Sequence, residues 1–380
     1  MKPQRHASVI RLFYFAMSLG AVSQLWYLVY SDLHKPLEVN MTTPNLADVT
    51  VKDPVRKPTR SPRHVYWCGY PNMFDQFDFN MGDHLFPESN VTKLLPGFES
   101  DKDDVLLYPC GGPCPIQHAR IPLEFKGQVL SFNGESVPCL PAYHKNVVAV
   151  SAVDGAWKNS SGLQALPMAM HLVGFGREWQ NKIFRPEQQT RNTNIIRDRF
   201  LIYAVSNCVA YREQAFSALS NLGKQVEYGG RCSAKSLPGR NANNIVKAPD
   251  SIIKTNWGEN HIEFQPYRFA LVMENKRANG YITEKILNAF LAGCIPIYYG
   301  TTEIFNIFNE RAFIWYDVKQ PKAALDRIAY LEENRTAYDE VIKEPILANG
   351  EETIRKYFSW NDELGNGDIK WFIRDMLGFG

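Results

Sequence analysis

Apolar and polar positions fall in alternating blocks along this chain of 380 residues, and the densest block runs from Phe269 to Gly300. It reads FALVMENKRANGYITEKILNAFLAGCIPIYYG. The run Phe269–Met273 has the length and composition of a buried strand and stops at Glu274-Asn275. A short polar turn follows. Ile282, Ile286, Leu287, Phe290 and Leu291 then share one face at helical spacing, which predicts a helix opening near Tyr281. Ile295–Tyr299 reads as the next strand. Upstream, Phe200–Ser206 (FLIYAVS) is a strand, Arg212–Leu222 (REQAFSALSNL) has helical spacing, and Gln225–Tyr228 is a strand before Gly229-Gly230. That order is the βαβ opening of a parallel sheet. A further helix ends near Phe264, and Asp368–Leu377 reads as an amphipathic helix too polar to span a membrane.

In the first half the strand signals are shorter: His64–Tyr70, Val105–Tyr108, Gln128–Phe132 and Asn146–Val153, with the helices between them weakly signalled. Phe175–Asn194 is polar and rich in Arg, Gln and Asn, as a linker would be. The expected architecture is therefore α/β, with Rossmann-like domains at residues 64–175 and 199–380, a linker at 176–198 and a cleft between the domains.

The N-terminus changes the picture. Leu12–Tyr30 carries no charge over nineteen residues, close to the ~20 that cross a bilayer as a helix. Trp26, Tyr27 and Tyr30 lie where an interfacial belt would sit. Lys2, Arg5 and Arg11 precede the run, so residues 1–11 are expected in the cytosol. The competing reading is a signal peptide cut near Ala21-Val22-Ser23. The anchor is preferred because the apolar run continues past that point. Both readings place the rest of the chain in the secretory lumen. There Asn40, Asn90, Asn159 and Asn334 each open an N-x-S/T sequon. Residues 31–63 hold five prolines among polar residues and read as a stem. Seven cysteines in an oxidising lumen imply disulfides with one thiol left over. Cys110 with Cys114 and Cys208 with Cys232 are the candidate pairs, and Cys68 with Cys139 is a third without support. Cys294 reads as a small buried hydrophobe.

Composition narrows the function. A hydrophobic content of 45%, a charged content of 22% and a net charge of +2 are globular values and offer no nucleic-acid track. No HExxH or CxxC occurs, no GxGxxG follows a predicted strand, and no GxxxxGK[ST] exists. Zinc, dinucleotide and P-loop chemistries are thereby disfavoured. The acidic Asp101–Asp103 (D-x-D) reads as a solvated charge run, although Mn²⁺ stimulation stays open. Polar residues collect instead where strands end and helices begin, the place where α/β proteins hold phosphorylated ligands. Glu274 and Asn275 end one strand, and Ser206 and Asn207 end another. Arg212 opens the helix after the second of these, where a guanidinium can grip two phosphate oxygens. Glu284 and Lys285 lie in a helix's first turn, and lysine is disfavoured there unless an anion offsets it. The ordinary alternative for each is an exposed helix or turn residue.

The second half resembles the α-1,3/1,4-fucosyltransferases of glycosyltransferase family 10. Phe269–Ile297 matches a pattern similar to F-x-x-x-x-E-N…(D/G)-Y-(I/V)-T-E-K-x-x-x-A-(apolar)-x-x-x-x-(I/V)-P-(I/V). Val205–Cys232 (VSN…R…L…YGGRC) resembles the first unit of the same donor domain. The match is dense over this half and loose before it. The tail, anchor, Pro-rich stem and catalytic domain also resemble the family's Golgi membrane layout. The resemblance implies a GT-B fold, GDP-fucose as donor, inversion at the fucose anomeric carbon, and a glycan acceptor on glycoprotein or glycolipid. It gives Arg212 to the donor phosphates and Tyr281, Glu284 and Lys285 to fucose, ribose and diphosphate. Glu274, Asn275, Ser206 and Asn207 fall near the nucleotide sugar.

The base that takes the acceptor's proton is expected from the other domain. Glu135, in LSFNGESVP, is similar to the family's glutamate, and Asp154 is the runner-up. No metal is required by this scheme. Vertebrate members carry cysteine pairs near the C-terminus, whereas this chain has no Cys after Cys294, so their disulfide framework does not transfer. The alternatives are a transferase using another nucleotide sugar, such as GDP-mannose, or an inactive lumenal glycan-binding homologue.

Overall fold

A computed structural model of the chain describes residues 56–68, 81–109, 124–133, 147–151, 164–165, 184, 196–234, 237–249 and 260–380. Among these, twelve strands form two sheets of six, both wholly parallel. The first sheet holds β1 (Val65–Trp67), β2 (Val91–Lys93), β3 (Val105–Pro109), β4 (Gln128–Asn133), β5 (Val147–Ser151) and β6 (Gln164–Ala165). Its order is β2-β1-β3-β4-β5-β6. The second holds β7 (Arg199–Val205), β8 (Val226–Gly230), β9 (Ile245–Lys247), β10 (Tyr267–Leu271), β11 (Ile295–Tyr298) and β12 (Ile314–Trp315). Its order, β12-β11-β10-β7-β8-β9, reverses direction between β7 and β10. In a doubly wound sheet, that switch point is where the crevice for a ligand opens at the carboxyl ends of the strands.

The helices are α1 (Met81–Leu85), α2 (Ala210–Leu219), α3 (Asn260–Phe264), α4 (Glu284–Ala292), α5 (Lys322–Glu333), α6 (Arg335–Lys343), α7 (Glu351–Tyr357) and α8 (Asp368–Leu377). Strands buried on both faces explain the continuous apolar runs of the sequence. Phe269, Ala270 and Leu271 are all buried, as are Leu201, Ile202 and Tyr203. The helix expected from Tyr281 begins instead at Glu284, with Thr283 as its extended N-cap residue. Tyr281 and Ile282 precede it in a turn and are nonetheless buried. The predicted strand Asn146–Val153 is β5, and the helix over Arg212–Leu222 is α2 followed by a 3₁₀ turn, Ser220–Leu222.

One apolar cluster contains β1, β3 and β4 residues (Val65, Leu107, Leu130) together with Ile286 and Phe290 of α4 and Ile369, Ile373 and Leu377 of α8. The last helix thus packs on the first half of the chain. Arg374, fully buried, donates to the carbonyls of Leu85 at 2.7 Å and Phe379 at 2.9 Å and pairs with Glu88 at 2.8 Å.

Cys208 and Cys232 form a disulfide with a Cα separation of 5.2 Å. It joins the chain just beyond the ends of the neighbouring strands β7 and β8, as the sequence suggested. Cys68 is also disulfide-bonded. Cys294 is buried, as expected, and outside any disulfide; its thiol donates to the carbonyls of Phe264 at 3.2 Å and Tyr267 at 3.1 Å. Cys110, Cys114, Cys139 and the anchor segment Leu12–Tyr30 lie outside the described residues. So do Asn40, Asn159, Glu135 and Asp154. Among the described residues no helix is long and apolar enough to cross a membrane.

Candidate nucleotide-sugar site

The carboxyl ends of β7, β10 and β11 converge on one buried carboxylate. Glu274, three residues past β10, is fully buried. Its backbone N–H donates to the carbonyl of Tyr299 at 2.9 Å, which extends the β10–β11 pairing. Its side chain accepts the Thr283 N–H at 2.7 Å and the Thr283 hydroxyl at 2.8 Å. The Tyr298 hydroxyl stands 3.4 Å away and the Lys285 ammonium 3.5 Å. A carboxylate at this position offsets the positive end of α4 and caps an amide that the helix itself cannot satisfy. Gly300 makes room for it. A Cβ there would run into the Tyr298 hydroxyl and lie 3.0 Å from Cγ of Glu274.

Lys285 donates to the Thr283 hydroxyl at 2.8 Å and to Glu284 at 3.2 Å, while a fifth of its side chain stays exposed. Burial alone would lower its pKa; Glu284 and then Glu274 outweigh that and hold it above the ordinary lysine value. Burial, reinforced by Glu274, drives the Tyr298 hydroxyl well above its normal pKa, so it is a neutral donor.

Arg212 reaches the same strand ends from α2. It is buried and donates to the carbonyl of Met273 and, at 3.4 Å, to that of Asn207. Its Nε, also buried, has no hydrogen-bond partner among the described residues. The adjacent Tyr211 donates its hydroxyl to the carbonyl of Glu274 and packs edge-on to Tyr299. Two consecutive residues of one helix therefore clasp the end of β10 across the switch point. Asn275, half-buried, lies 3.5 Å from the hydroxyl of the buried Tyr281.

The structure thus brings together Arg212, Glu274, Asn275, Tyr281, Glu284 and Lys285. Ser206 and Asn207 end β7 beside them with exposed side chains. Glu274 spends its carboxylate on Thr283, Lys285 and Tyr298 and so anchors the helix start. Thr283, Tyr298, Tyr211, Gly300 and Glu303 belong to the same constellation but were not singled out by sequence. Thr283 lay inside the Y-x-T-E-K run, whereas the other four need the three-dimensional convergence of strands to be seen. The Asp101–Asp103 run lies before β3, with Asp103 paired to Arg60 and Asp101 3.8 Å from Arg63. Chemically, the strand ends offer a helix N-terminus, an ammonium held in its charged form and an unsatisfied guanidinium N–H. Together these suit a diphosphate.

Residues 196–343 match the sequence model of the glycosyltransferase family 10 (fucosyltransferase) C-terminal region. An alpha-(1,3)-fucosyltransferase of Helicobacter pylori is 38% identical over 79 residues, 20% of this chain and 16% of the relative. A GDP-fucose protein O-fucosyltransferase 3 of Xenopus laevis is 28% identical over 194 residues, 50% of this chain and 36% of the relative. These matches span well under two thirds of either relative's length. Among solved structures, an alpha1,3-fucosyltransferase with GDP-fucose superposes with a TM-score of 0.55 at 16% identity, covering 85% of this chain and 93% of that one. The T4 phage BGT with UDP and Mn²⁺ gives 0.50 at 13% identity, over 83% and 99%. At such identities the likeness is one of fold, the GT-B-like pair of parallel α/β sheets.

Proposed function

We propose that the chain, whose residues 196–343 match the glycosyltransferase family 10 (fucosyltransferase) C-terminal model, transfers L-fucose from GDP-fucose to a GlcNAc hydroxyl of a glycoprotein or glycolipid glycan, forming an α1,3 linkage. The observation that carries this reading is the anion-ready switch point: the α4 N-terminus, Lys285 and the unpartnered Arg212 Nε at the ends of β7 and β10. In this reading Arg212 and Lys285 neutralise the GDP that departs as the fucose C1–O bond breaks. Tyr281 and Asn275 orient the sugar. Glu135 takes the proton of the acceptor hydroxyl as that oxygen attacks C1 from the opposite face, which inverts the centre. No resident cofactor takes part; Mn²⁺ dependence is decided by adding EDTA to the assay.

The enzyme would work as a single-pass type II protein of the Golgi membrane, anchored by Leu12–Tyr30 with its catalytic part in the lumen. The Cys208–Cys232 disulfide suits that oxidising compartment. Glycans at Asn90 and Asn334, both at described positions, and at Asn40 and Asn159 belong to the same proposal.

The test is incubation of the detergent-purified full chain with GDP-fucose and a panel of N-acetyllactosamine, Lewis-precursor and core N-glycan acceptors, read by mass spectrometry. GDP-mannose serves as the competing donor. Fucose on a GlcNAc hydroxyl is the expected product; GDP binding without transfer would sink the enzyme reading. Glu135→Ala should abolish transfer while GDP binding persists, and near-normal turnover by that variant would remove the base assignment. A second reading has its own observation. The relative named as a protein O-fucosyltransferase matches half of this chain, against a fifth for the H. pylori enzyme. Peptides bearing Ser and Thr therefore join the panel, and fucose on a peptide hydroxyl would move the acceptor class from glycan to protein.

A further inference from the structure

Glu303 has no place in the proposed chemistry, yet it reaches into the turn that presents Tyr281. It lies in a 3₁₀ segment, Thr302–Asn306, that follows β11 and is capped by Thr301, whose hydroxyl accepts the Glu303 N–H at 3.4 Å. The Glu303 carboxylate accepts the backbone N–H of Gly280, and the Thr301 hydroxyl stands 3.5 Å from the same oxygen.

Gly280 is the apex of the connection between β10 and α4. Its φ of 77° is a left-handed conformation that glycine adopts without strain. The turn closes on itself through Tyr281 N–H to Ala278 O at 3.1 Å and Ile282 N–H to Gly280 O at 2.9 Å. At its far end Thr283 is fixed by Glu274. The turn is thus held at two points by two carboxylates. Glu274 sits at the helix start, and Glu303 reaches the apex from a neighbouring loop. The two anchors are linked, because Gly300, which leads into the Thr301 cap, lies directly against Glu274 and Tyr298.

We propose that Glu303 is a positioning residue for the donor site: it fixes the Gly280–Ile282 turn so that Tyr281 and Asn275 are pre-organised for the sugar, without touching the donor itself. The inference rests on the nucleotide-sugar reading above. A pinned turn loses less conformational freedom on binding, so the effect should fall on donor affinity more than on turnover.

The experiment compares the full chain with Glu303→Ala and Glu303→Gln in three measurements. These are amide hydrogen exchange of the 276–283 segment without ligand, steady-state kinetics in GDP-fucose, and thermal unfolding. Glu303→Ala should speed exchange of that segment and raise the KM for GDP-fucose about tenfold, with kcat nearly unchanged. Glu303→Gln keeps an oxygen that accepts the Gly280 N–H and should restore both values most of the way. Unchanged exchange and KM in the alanine variant would overturn the proposal. So would a glutamine variant as impaired as alanine, or a loss confined to melting temperature. Should the wild-type chain bind no GDP-fucose, the donor reading fails on its own, while hydrogen exchange still decides whether Glu303 holds the turn.

Discussion

The second sheet carries a buried glutamate beside a tyrosine and a cation at each of its two edges, and one of the two stands at the candidate site. At the amino edge, Glu227 of β8 accepts the Tyr267 hydroxyl and an Arg199 N–H, both at 2.9 Å. Burial, together with Glu227, raises the Tyr267 pKa, and Arg199 partly offsets the rise. The helix ends that lead into this edge are C-termini; at that of α4 the Ala292 carbonyl takes a hydrogen bond from Arg197 at 3.2 Å. At the carboxyl edge, Glu274 meets the opposite pole of the same helix. It is flanked by Lys285 with part of its side chain exposed and by Arg212 with an idle N–H. A parallel sheet wound with right-handed crossovers always sends helix N-termini to the carboxyl ends of its strands. A buried carboxylate is therefore poor evidence of function by itself; what marks a site is cationic capacity left over once the carboxylate is satisfied.

Alanine substitutions at the two glutamates test this difference most severely. Glu274→Ala strips partners from Thr283, Tyr298 and Lys285 at once and should lower unfolding free energy by about 3–5 kcal/mol. Donor affinity should vanish with it, because the helix start loses its anchor. Glu227→Ala leaves Arg199 free to turn to water, since that side chain is already 37% exposed. The expected loss is about 1–3 kcal/mol, with GDP affinity unchanged. Urea unfolding and calorimetric GDP titration measure both. Equal effects of the two variants on GDP affinity would break the contrast between the edges.

The disulfide sharpens the comparison, because it belongs to the carboxyl edge alone. It closes a loop between positions separated by 24 residues. Replacing both Cys208 and Cys232 with Ser should cost about 3 kcal/mol, chiefly by releasing the unfolded chain. The bond also tethers the segment carrying Ser206 and Asn207, so GDP affinity should fall more than in Glu227→Ala. An affinity untouched by the double substitution would show that this segment plays no part in the site.

How far the sequence reached differs between the halves for a physical reason. Strands buried on both faces leave continuous apolar runs, so β7, β10 and β11 were readable from Phe200–Ser206, Phe269–Met273 and Ile295–Tyr299. Short strands such as β9 (Ile245–Lys247) and β12 (Ile314–Trp315) bury too few residues to leave a pattern. The amphipathic helices α5 and α6 went unnamed although their buried positions, among them Ala324, Ile328 and Leu331, keep helical spacing. At the site, residues next to one another in sequence were found: Glu274 with Asn275, Glu284 with Lys285. Tyr298 and Glu303 were not, because their relation to the helix start is created by β11 lying beside β10. A strand-end acid reads alike in sequence whether it faces a ligand or a helix N-terminus.

The mildest test concerns protons. Lys285 owes its raised pKa to Glu284 and Glu274, which overcome the opposing effect of burial. A basic group raised on folding contributes stability that is fully present below its unfolded pKa, about 10.4 for lysine, and is lost only as pH climbs through the higher folded value. Tyr267, at the amino edge, is likewise raised, so the unfolded chain ionises first and stability falls above about pH 10 from that edge too. Alkaline unfolding therefore cannot separate the two edges, but GDP affinity can. If Lys285 is the cation facing the diphosphate, GDP affinity should stay flat from about pH 7 to 8.5, where a lysine of raised pKa stays charged and the guanine N1–H is still in place. Lys285→Gln should be weaker by a constant factor across that range. A drop in wild-type affinity centred near pH 8 that disappears in Lys285→Gln would mean the ammonium is destabilised by its surroundings. The two glutamates would then be neutralising each other's neighbours rather than holding charge for a ligand, and the carboxyl edge would be no more than a second copy of the closed amino edge.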